Sequence, residues 1–240
     1  MAFSDEDNSF SDCGGPFDLT PKHTISSWET MPTTLAEVAV IAYLRENRNR
    51  YAGATLLHVG IGNSALFDAL ADNLSKYIGI TISLPEVERF NRKVGGSNID
   101  RVILGNKYDC RVYSQISELL DIIVDVNLKS FACCEKHFQH LITFYADRLR
   151  IGGAILTTDS GVRFGWAGNT NVAYTPGANL NPAAAQRRIL GSEGLQQISI
   201  RYGFDLARIE IRDVKHWHGS CSVDEPAHTS NETLWILTKV

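Results

Sequence analysis

The feature that most constrains this chain is a regular alternation of short apolar runs with longer amphipathic segments. The first run, residues 54–59 (ATLLHV), ends at Gly60, which is typical of a buried parallel strand. Four similar runs follow, each separated from the last by room for a helix, at residues 77–82, 101–104, 121–126 and 154–158. Strands that alternate with helices in this way predict a parallel sheet with helices on both faces.

The amphipathic segments are predicted helices, and the end of the chain follows a different pattern. Helical spacing of apolar residues occurs over residues 33–51, 64–76, 85–94, 113–120 and 131–150, and again from residue 183 with a new start near 192. Two long strand-like runs, at 205–214 and 232–240, have no helix between them, so we expect them to pair antiparallel. The predicted fold is a doubly wound α/β fold with a mostly parallel seven-stranded sheet, helices on both faces and an antiparallel C-terminal strand.

Composition divides the chain of 240 residues into three parts. Residues 1–16 are acidic and rich in Ser and Gly, which predicts a flexible arm. We expect residues 17–53 to form a helical extension or lid, and residues 54–240 to form the main domain. A chain of this length suits one large α/β domain with lids.

The net charge of the chain comes from the arm. The formal charge is −4, from 23 Lys and Arg against 27 Asp and Glu, and four of the acids are Asp5, Glu6, Asp7 and Asp12. The mildly acidic composition argues against general nucleic-acid binding, so nucleic acid is not an expected partner. Because the rest of the chain is formally neutral, the charge says little about the partner of the main domain. No apolar run approaches the roughly 20 residues that span a bilayer, and the N-terminus does not resemble a secretory signal. The five scattered cysteines favour reduced thiols and a cytoplasmic protein.

A glycine-rich turn follows the first predicted strand. In a doubly wound sheet the ligand lies at the carboxyl ends of the strands, beside the point where the strand order reverses. Gly60 and Gly62 let the backbone turn sharply and approach a ligand, and Ser64 and the first N–H groups of the next helix face that position. A tight structural turn is the alternative, but the place of this turn between a strand and a helix favours a binding loop.

These segments together resemble the class I methyltransferases that use S-adenosylmethionine. The resemblance covers residues 33–240 and rests on LHVGIGNS at 57–64, LGN at 104–106, DIIVD at 121–125 and LRIGGAIL at 149–156. The last block is similar to the family's frequent L-x-P-G-G-x-L/I turn, and the closing antiparallel strand is also the family's topology. The resemblance implies S-adenosyl-L-methionine as the cofactor and methyl transfer as the activity.

The resemblance also implies which residues bind the cofactor. They are His58, Gly60, Ile61, Gly62, Asn63 and Ser64 around the glycine turn, Thr81 and Ile82 at the second strand, and Asn106 and Asp125 after the third and fourth. His58 stands where the family usually has an acid, and Asn106 stands where an Asp often contacts the adenine amine.

The second strand also departs from the family. Residues 79–83 (GITIS) contain no acid, although the family usually ends this strand with one that holds the ribose hydroxyls. The segment resembles the G-[LI]-T-[LI]-S of methyltransferases related to cyclopropane synthases and tocopherol methyltransferases. In those proteins we expect a hydroxyl and the backbone to bind the ribose.

Three residues are candidates for catalysis. Asp125 follows the fourth strand beside the expected methyl group, where it either takes a proton from the acceptor, caps the next helix or contacts the cofactor. His216 and His218 belong to a polar C-terminal loop that we expect to cover the substrate mouth, and either is a candidate acid or base. Cys221 offers a third metal ligand, but no C-x-x-C pair accompanies it and we expect no metal site.

The sequence therefore favours a methyltransferase that acts on an O or N atom of a small-molecule acceptor. We expect no membrane partner, and the sequence leaves open whether the protein forms a homodimer. No base-flipping N-P-P-[YF] motif follows the fourth strand, where DVNL stands instead. His58 and the missing ribose acid keep open a catalytically inactive subunit with a structural or assembly role. An NAD(P)-dependent oxidoreductase also stays open, because Gly60-x-Gly62-x-x-Ala65 fits its fingerprint, although no acid ends the second strand.

Overall fold

The computed structural model describes residues 33–95, 100–129, 135–162, 190–216 and 228–240. In chain order its elements are α1 (Leu35–Glu46), β1 (Ala54–Val59), α2 (Ala65–Leu70), β2 (Leu74–Thr81), α3 (Leu84–Val94), β3 (Arg101–Leu104), α4 (Cys110–Tyr113), β4 (Leu120–Val124), α5 (Glu135–Arg148), β5 (Leu149–Thr158), α6 (Asp159–Val162), α7 (Ser192–Tyr202), β6 (Phe204–His216) and β7 (His228–Lys239). The strands form one seven-stranded sheet in the order β3-β2-β1-β4-β5-β7-β6. Strands β1 to β5 pair in parallel, and β7 is antiparallel to β5 and β6, so the predicted fold class is confirmed.

Two apolar cores cover the two faces of the sheet. Successive residues of a strand point to opposite faces, so Leu56 and Leu57 of β1 belong to different cores. One core joins the sheet to α4, α5 and α7, and the other joins it to α1, α2 and α3. Ala39 and Val40 of α1 are fully buried. The N-terminal helix is therefore built into the second core, on the face that carries the helix after the glycine turn.

The predicted bounds of β1 and β3 are confirmed, but the predicted helix over 64–76 is wrong beyond Leu70. A single 3-10 turn at Ala71–Asn73 follows α2, and β2 already begins at Leu74. Leu74 fits the helical spacing of the sequence, but it pairs with Ala54 at the start of β1. Pairing with a strand distant in the sequence overrides the local preference here.

The predicted helix over 113–120 is also wrong. Helix α4 lies earlier because Asp109 caps it, with its carboxylate accepting from the backbone N–H of Arg111 at 2.9 Å. Leu120 is the first residue of β4 and pairs with Leu149, which begins β5 five residues before the predicted start. The starts of the predicted helices at 131 and 183 lie outside the described residues. None of the described helices combines the length and apolarity needed to cross a bilayer.

Gly79 of β2 has no side chain, and the Ile61 side chain of the glycine turn packs against its backbone. This contact gives a first prediction. A Cβ at this position would lie 2.7 Å from Ile61 Cγ2 and 2.9 Å from Val102 Cγ2, and both neighbours are stiff, branched side chains. We expect Gly79→Ala to lower the free energy of unfolding by about 1–3 kcal/mol, as overpacked core positions do. Urea denaturation of the variant measures this loss.

The matched control is Gly191→Ala, because in the part of the chain that the structure describes no atom lies within 4 Å of a Cβ at that position. We expect it to change the free energy of unfolding by less than about 1 kcal/mol. Equal stability losses for the two variants would contradict the tight packing of Ile61 against β2.

Candidate functional site

The carboxyl ends of β1, β2 and β4 meet at one edge of the sheet, because β1 lies between the other two and pairs with both in parallel. The glycine turn after β1 starts with a hydrogen bond from the Gly60 N–H to the Ile80 carbonyl at 2.8 Å. Gly60 and Gly62 adopt positive φ angles of 78° and 48°, and no atom of the described residues lies within 4 Å of a Cβ at either position. The turn therefore offers exposed backbone and open space to a ligand.

The other residues of the turn have different roles. The Ile61 side chain is fully buried under the turn, where it packs against Gly79. Asn63 accepts from the Ala65 N–H at 3.0 Å and donates to Thr33 Oγ1 at 2.9 Å, so its amide starts α2 and ties the turn to the N-terminal side of α1. Ser64 does not cap the helix: its hydroxyl is buried and has no hydrogen-bond partner among the described residues.

His58 lies in the core beneath this turn. Its ring is almost completely buried, and Nδ1 lies 2.7 Å from the Tyr77 hydroxyl on the neighbouring strand. Burial lowers the pKa of His58 to about 3, so the ring is neutral at physiological pH. The contact of His58 with a cofactor stays a prediction, whereas its contact with Tyr77 gives it a structural role.

A carboxylate lies at the end of β2, where the sequence analysis found none. Thr81 Oγ1 donates to Glu86 Oε2 at 2.5 Å and accepts from the Ser83 N–H at 3.1 Å. Glu86 belongs to the first turn of α3 and is buried, and Ile82 is half-buried between these residues. The Ser83 hydroxyl is buried without a partner among the described residues. The sequence did contain a signal for Glu86, because an acid in the first turn of the helix that follows β2 lies close to the end of that strand.

Glu37 of α1 brings a second buried carboxylate to the same face. Burial raises its pKa to about 7; the Leu66 backbone at the start of α2 lowers it, and the charge of Glu86 raises it further. Its Oε1 atom has no hydrogen-bond partner among the described residues. Glu37 was not among the predicted site residues, although Thr34 and Glu37 fit the T-x-x-E pattern of a capping box.

Asp125 follows β4 and is held by a buried lysine. Lys107 Nζ lies 2.9 Å from both carboxylate oxygens of Asp125, and it also donates to the carbonyls of Asn127 at 2.6 Å and Leu128 at 3.3 Å. The Tyr145 hydroxyl of α5 donates to Asp125 Oδ2 at 2.9 Å. Burial lowers the pKa of Lys107, and the charge of Asp125 partly offsets this effect.

This arrangement changes the interpretation of Asp125. Its side chain is only 1% exposed, and its charge is matched by the Lys107 ammonium. A carboxylate in a buried ion pair is a poor general base, because taking a proton would break the pair and leave the ammonium uncompensated. The geometry therefore favours a positioning role. Lys107 and Tyr145 were not among the predicted site residues, because no local sequence pattern connects them to Asp125, which lies about twenty positions away from each.

Of the remaining predicted site residues, the structure describes Asn106 and the backbone of His216. Asn106 Oδ1 accepts from the Tyr108 N–H at 3.0 Å and closes the turn after β3, so its contact with adenine stays a prediction. His216 is the last residue of β6 and not part of a loop, and it pairs in register with His228. That pair lies six residues beyond Leu234, the last β7 residue paired with β5, which is roughly 20 Å along the strand. His218 and Cys221 lie outside the described residues.

Comparisons with known proteins identify the fold. No protein-family model matches the sequence, and no curated protein matches it. The chain is similar to precorrin 8w decarboxylase from Methanobacterium thermoautotrophicum, with 15% identity, a TM-score of 0.51, and coverage of 88% of this chain and 94% of that chain. It is also similar to the N-methyltransferase NodS from Bradyrhizobium japonicum WM9 in complex with S-adenosyl-L-homocysteine, with 14% identity, a TM-score of 0.50, and coverage of 81% and 86%.

A third similar structure is the CurJ carbon methyltransferase, with 10% identity, a TM-score of 0.50, and coverage of 85% of this chain and 54% of that chain. At these identities the likeness shows the fold alone. The chain has the class I methyltransferase fold that its sequence resembles, with a mostly parallel sheet and the antiparallel strand β7. Because one fold can carry many functions, the activity of this chain depends on the residues of its site.

The Lys107–Asp125 pair gives a second prediction. We expect Lys107→Met to lower the free energy of unfolding by about 3–5 kcal/mol, because it leaves a buried, unpaired carboxylate. The matched control is Lys93→Met, whose ion pair with Asp68 lies at the surface and contributes at most about 1 kcal/mol. Urea denaturation at pH 7 measures both. A Lys107→Met variant as stable as Lys93→Met would show that the buried pair does not hold the end of β4.

The buried Glu37 gives a third prediction. The folded protein holds its pKa near 7, above the ordinary value of 4.5, so a protonated Glu37 contributes full stability below about pH 4.5. That contribution is lost progressively between about pH 4.5 and pH 7, because over this range the unfolded chain releases the proton that the folded protein still holds, and the loss is complete once the folded protein also ionises. Relative to Glu37→Gln, we expect the wild type to lose about 3 kcal/mol between pH 4 and pH 8. Urea denaturation of both proteins across this range measures the difference, and parallel pH profiles would contradict the burial of Glu37.

Proposed function

We propose that this chain is an S-adenosylmethionine-dependent methyltransferase that transfers a methyl group to an O or N atom of a small molecule. The single observation that carries the proposal is the combination of exposed glycine backbone and unpartnered buried hydroxyls at the ends of β1 and β2. Two glycines with positive φ leave open space there, and the buried hydroxyls of Ser64 and Ser83 lack partners among the described residues. Buried polar atoms are normally hydrogen-bonded, so these oxygens fit a polar ligand.

The residues present fit the cofactor that the family uses. The backbone of Gly60 and Gly62 would contact it most closely, because no side chain intervenes. Glu86, beside the end of β2, would accept hydrogen bonds from the ribose hydroxyls, a role that the sequence pattern left without an acid. The buried hydroxyls of Ser64 and Ser83 would complete the polar lining of this site.

The acceptor side of the site favours positioning over acid–base chemistry. S-adenosylmethionine supplies an electrophilic methyl group, and alignment of the acceptor for in-line displacement provides much of the acceleration. Lys107 and Tyr145 hold the Asp125 side chain at the end of β4. The Lys107–Asp125 pair, which has no net charge, would therefore shape this side of the site. A small-molecule acceptor agrees with the balanced charge of the chain after the acidic arm and with the lack of a base-flipping motif.

The strand order argues against the oxidoreductase alternative. The dinucleotide-binding fold has the all-parallel order 3-2-1-4-5-6. In this chain an antiparallel strand, β7, stands between β5 and β6. The chain also shares its overall fold with the N-methyltransferase NodS, whose structure contains S-adenosyl-L-homocysteine.

A second candidate function is a catalytically inactive subunit with the same fold. The observation that favours it is the Lys107–Asp125 ion pair, which makes Asp125 a poor general base. An acceptor that carries no proton on its nucleophile needs no base, so this observation does not exclude turnover. The two functions differ in one measurable property: both bind the cofactor, but only the enzyme consumes it.

The fourth prediction tests cofactor binding. S-adenosylhomocysteine at about 100 times its Kd should stabilise the wild type by about 2.7 kcal/mol, seen as a rise in melting temperature. We expect Gly60→Val to abolish this shift, because its side chain fills the open space above the turn. Gly95→Val is the matched control: Gly95 also has a positive φ, 61°, but lies at the far end of α3. It should lose similar stability and keep the shift.

A shift with NAD or NADP alone would overturn the proposal in favour of the oxidoreductase. Retained binding in Gly60→Val would show that the glycine turn is not the site. Binding without consumption of labelled S-adenosylmethionine across a panel of small O- and N-nucleophiles would favour the inactive subunit.

A further inference from the structure

Glu37 is an unusual residue for the first turn of a helix. Thr34 caps α1 by accepting from the Glu37 N–H at 3.2 Å. In a full capping box the glutamate would turn back to the N–H of the capping threonine. Here the backbone group that acts on the Glu37 carboxylate is Leu66 at the start of α2, and Oε1 has no partner among the described residues. The carboxylate therefore faces the helix after the glycine turn.

The surroundings of Glu37 make its charge costly. The groups that act on it are Glu86 from α3, a second acid, and the Leu66 backbone from α2. From the sheet, the Tyr77 hydroxyl lies within its electrostatic influence and is bonded to the neutral His58. Among the described residues, no lysine or arginine forms an ion pair with Glu37. A buried carboxylate without a cationic partner is expensive, which suggests that a ligand supplies the cation.

Glu37 also lies beside the proposed cofactor site. The Thr33 hydroxyl accepts from Asn63 at 2.9 Å, which ties the start of α1 to the glycine turn. Leu66 lies two residues after Ser64, whose buried hydroxyl lacks a partner among the described residues. Unpartnered oxygens from α1 and from the turn after β1 therefore lie around the start of α2.

Among the hydrogen-bond donors of S-adenosylmethionine, only the α-ammonium carries a full positive charge. Such a donor offsets a buried carboxylate better than a neutral hydroxyl or amine. The ribose hydroxyls are assigned to Glu86 at the end of β2, whereas Glu37 adjoins the turn after β1. The position where the family usually has an acid holds His58, which is neutral and bonded to Tyr77.

We propose that Glu37 binds the α-ammonium of the methionyl group of S-adenosylmethionine, and that α1 thereby supplies a carboxylate that β1 lacks. This inference rests on the proposed function. It assigns to the N-terminal helix a part in the binding site besides its packing in the core. Without Glu37 the nucleoside part of the cofactor still binds, but the amino-acid part loses its charged partner.

The test compares ligands that differ in the amino-acid part. Isothermal titration calorimetry measures the binding of S-adenosylhomocysteine, of decarboxylated S-adenosylmethionine, which keeps the ammonium, and of 5′-methylthioadenosine, which has none. We expect Glu37→Gln to weaken the first two by about 10-fold or more, because a charge-assisted hydrogen bond is lost. Binding of 5′-methylthioadenosine should change by less than about 2-fold. Glu46→Gln, on the exposed last turn of α1, should leave all three unchanged.

Proton release gives an independent readout. Burial raises the pKa of Glu37 to about 7, so a fraction of the Glu37 side chains is protonated in the free protein near this pH, and pairing with an ammonium would drive this proton off. Titrations in two buffers with different ionisation enthalpies should detect proton release with S-adenosylhomocysteine, and the release should grow as the pH is lowered from 7 to 6. We expect no release with 5′-methylthioadenosine, and none in Glu37→Gln. A merely structural Glu37 would not link proton release to the ammonium.

The outcomes separate this inference from the proposed function. If the wild type binds no ligand of the three, the proposed function fails and this inference fails with it. If the wild type binds S-adenosylhomocysteine but Glu37→Gln binds it equally well, or loses 5′-methylthioadenosine to the same extent, only the role of Glu37 is overturned. Thermal unfolding confirms that Glu37→Gln is folded, and removal of a buried charge should not destabilise it near neutral pH.

Discussion

Parallel pairing of β1 with β2 on one side and with β4 on the other is the constraint on which the site depends. Parallel strands end at the same edge, so segments that are distant in the sequence meet there. The ladder continues into the connecting loops, with hydrogen bonds from Gly60 to Ile80 at 2.8 Å and from Asp125 to Leu156 at 3.1 Å. The loops at this edge are therefore held by the backbone of the sheet as well as by their own side chains.

The two faces of this edge differ in their electrostatics. On the α5 face, the Asp125 carboxylate is paired with Lys107 and accepts a further hydrogen bond from Tyr145. On the α1 face, Glu37 and Glu86 lie close enough for one charge to raise the pKa of the other. A cationic ligand group would therefore gain more from the α1 face, whereas the α5 face provides a fixed, neutral wall.

Some parts of the fold were predictable because the signal was local. Strand β1 has its predicted bounds, since an apolar run stops at a glycine with a positive φ. The end of α2 and the position of α4 were not predictable in this way. Leu74 leaves the helical pattern to pair with β1, and a capping bond from Asp109 moves α4 towards the N-terminus. Both effects compete with hydrophobic spacing and win through specific hydrogen bonds.

The sequence by itself determined the order of the strands and helices and the place of the glycine turn, because periodicity and glycine conformation are properties of short segments. Only the tertiary structure decided which side chains serve the site. It turns His58 into the core against Tyr77 and neutralises Asp125 with Lys107. It also brings Glu37 and Glu86 from two helices to one face. Burial and charge at a residue depend on elements that are distant in the sequence, and no local pattern contains that information.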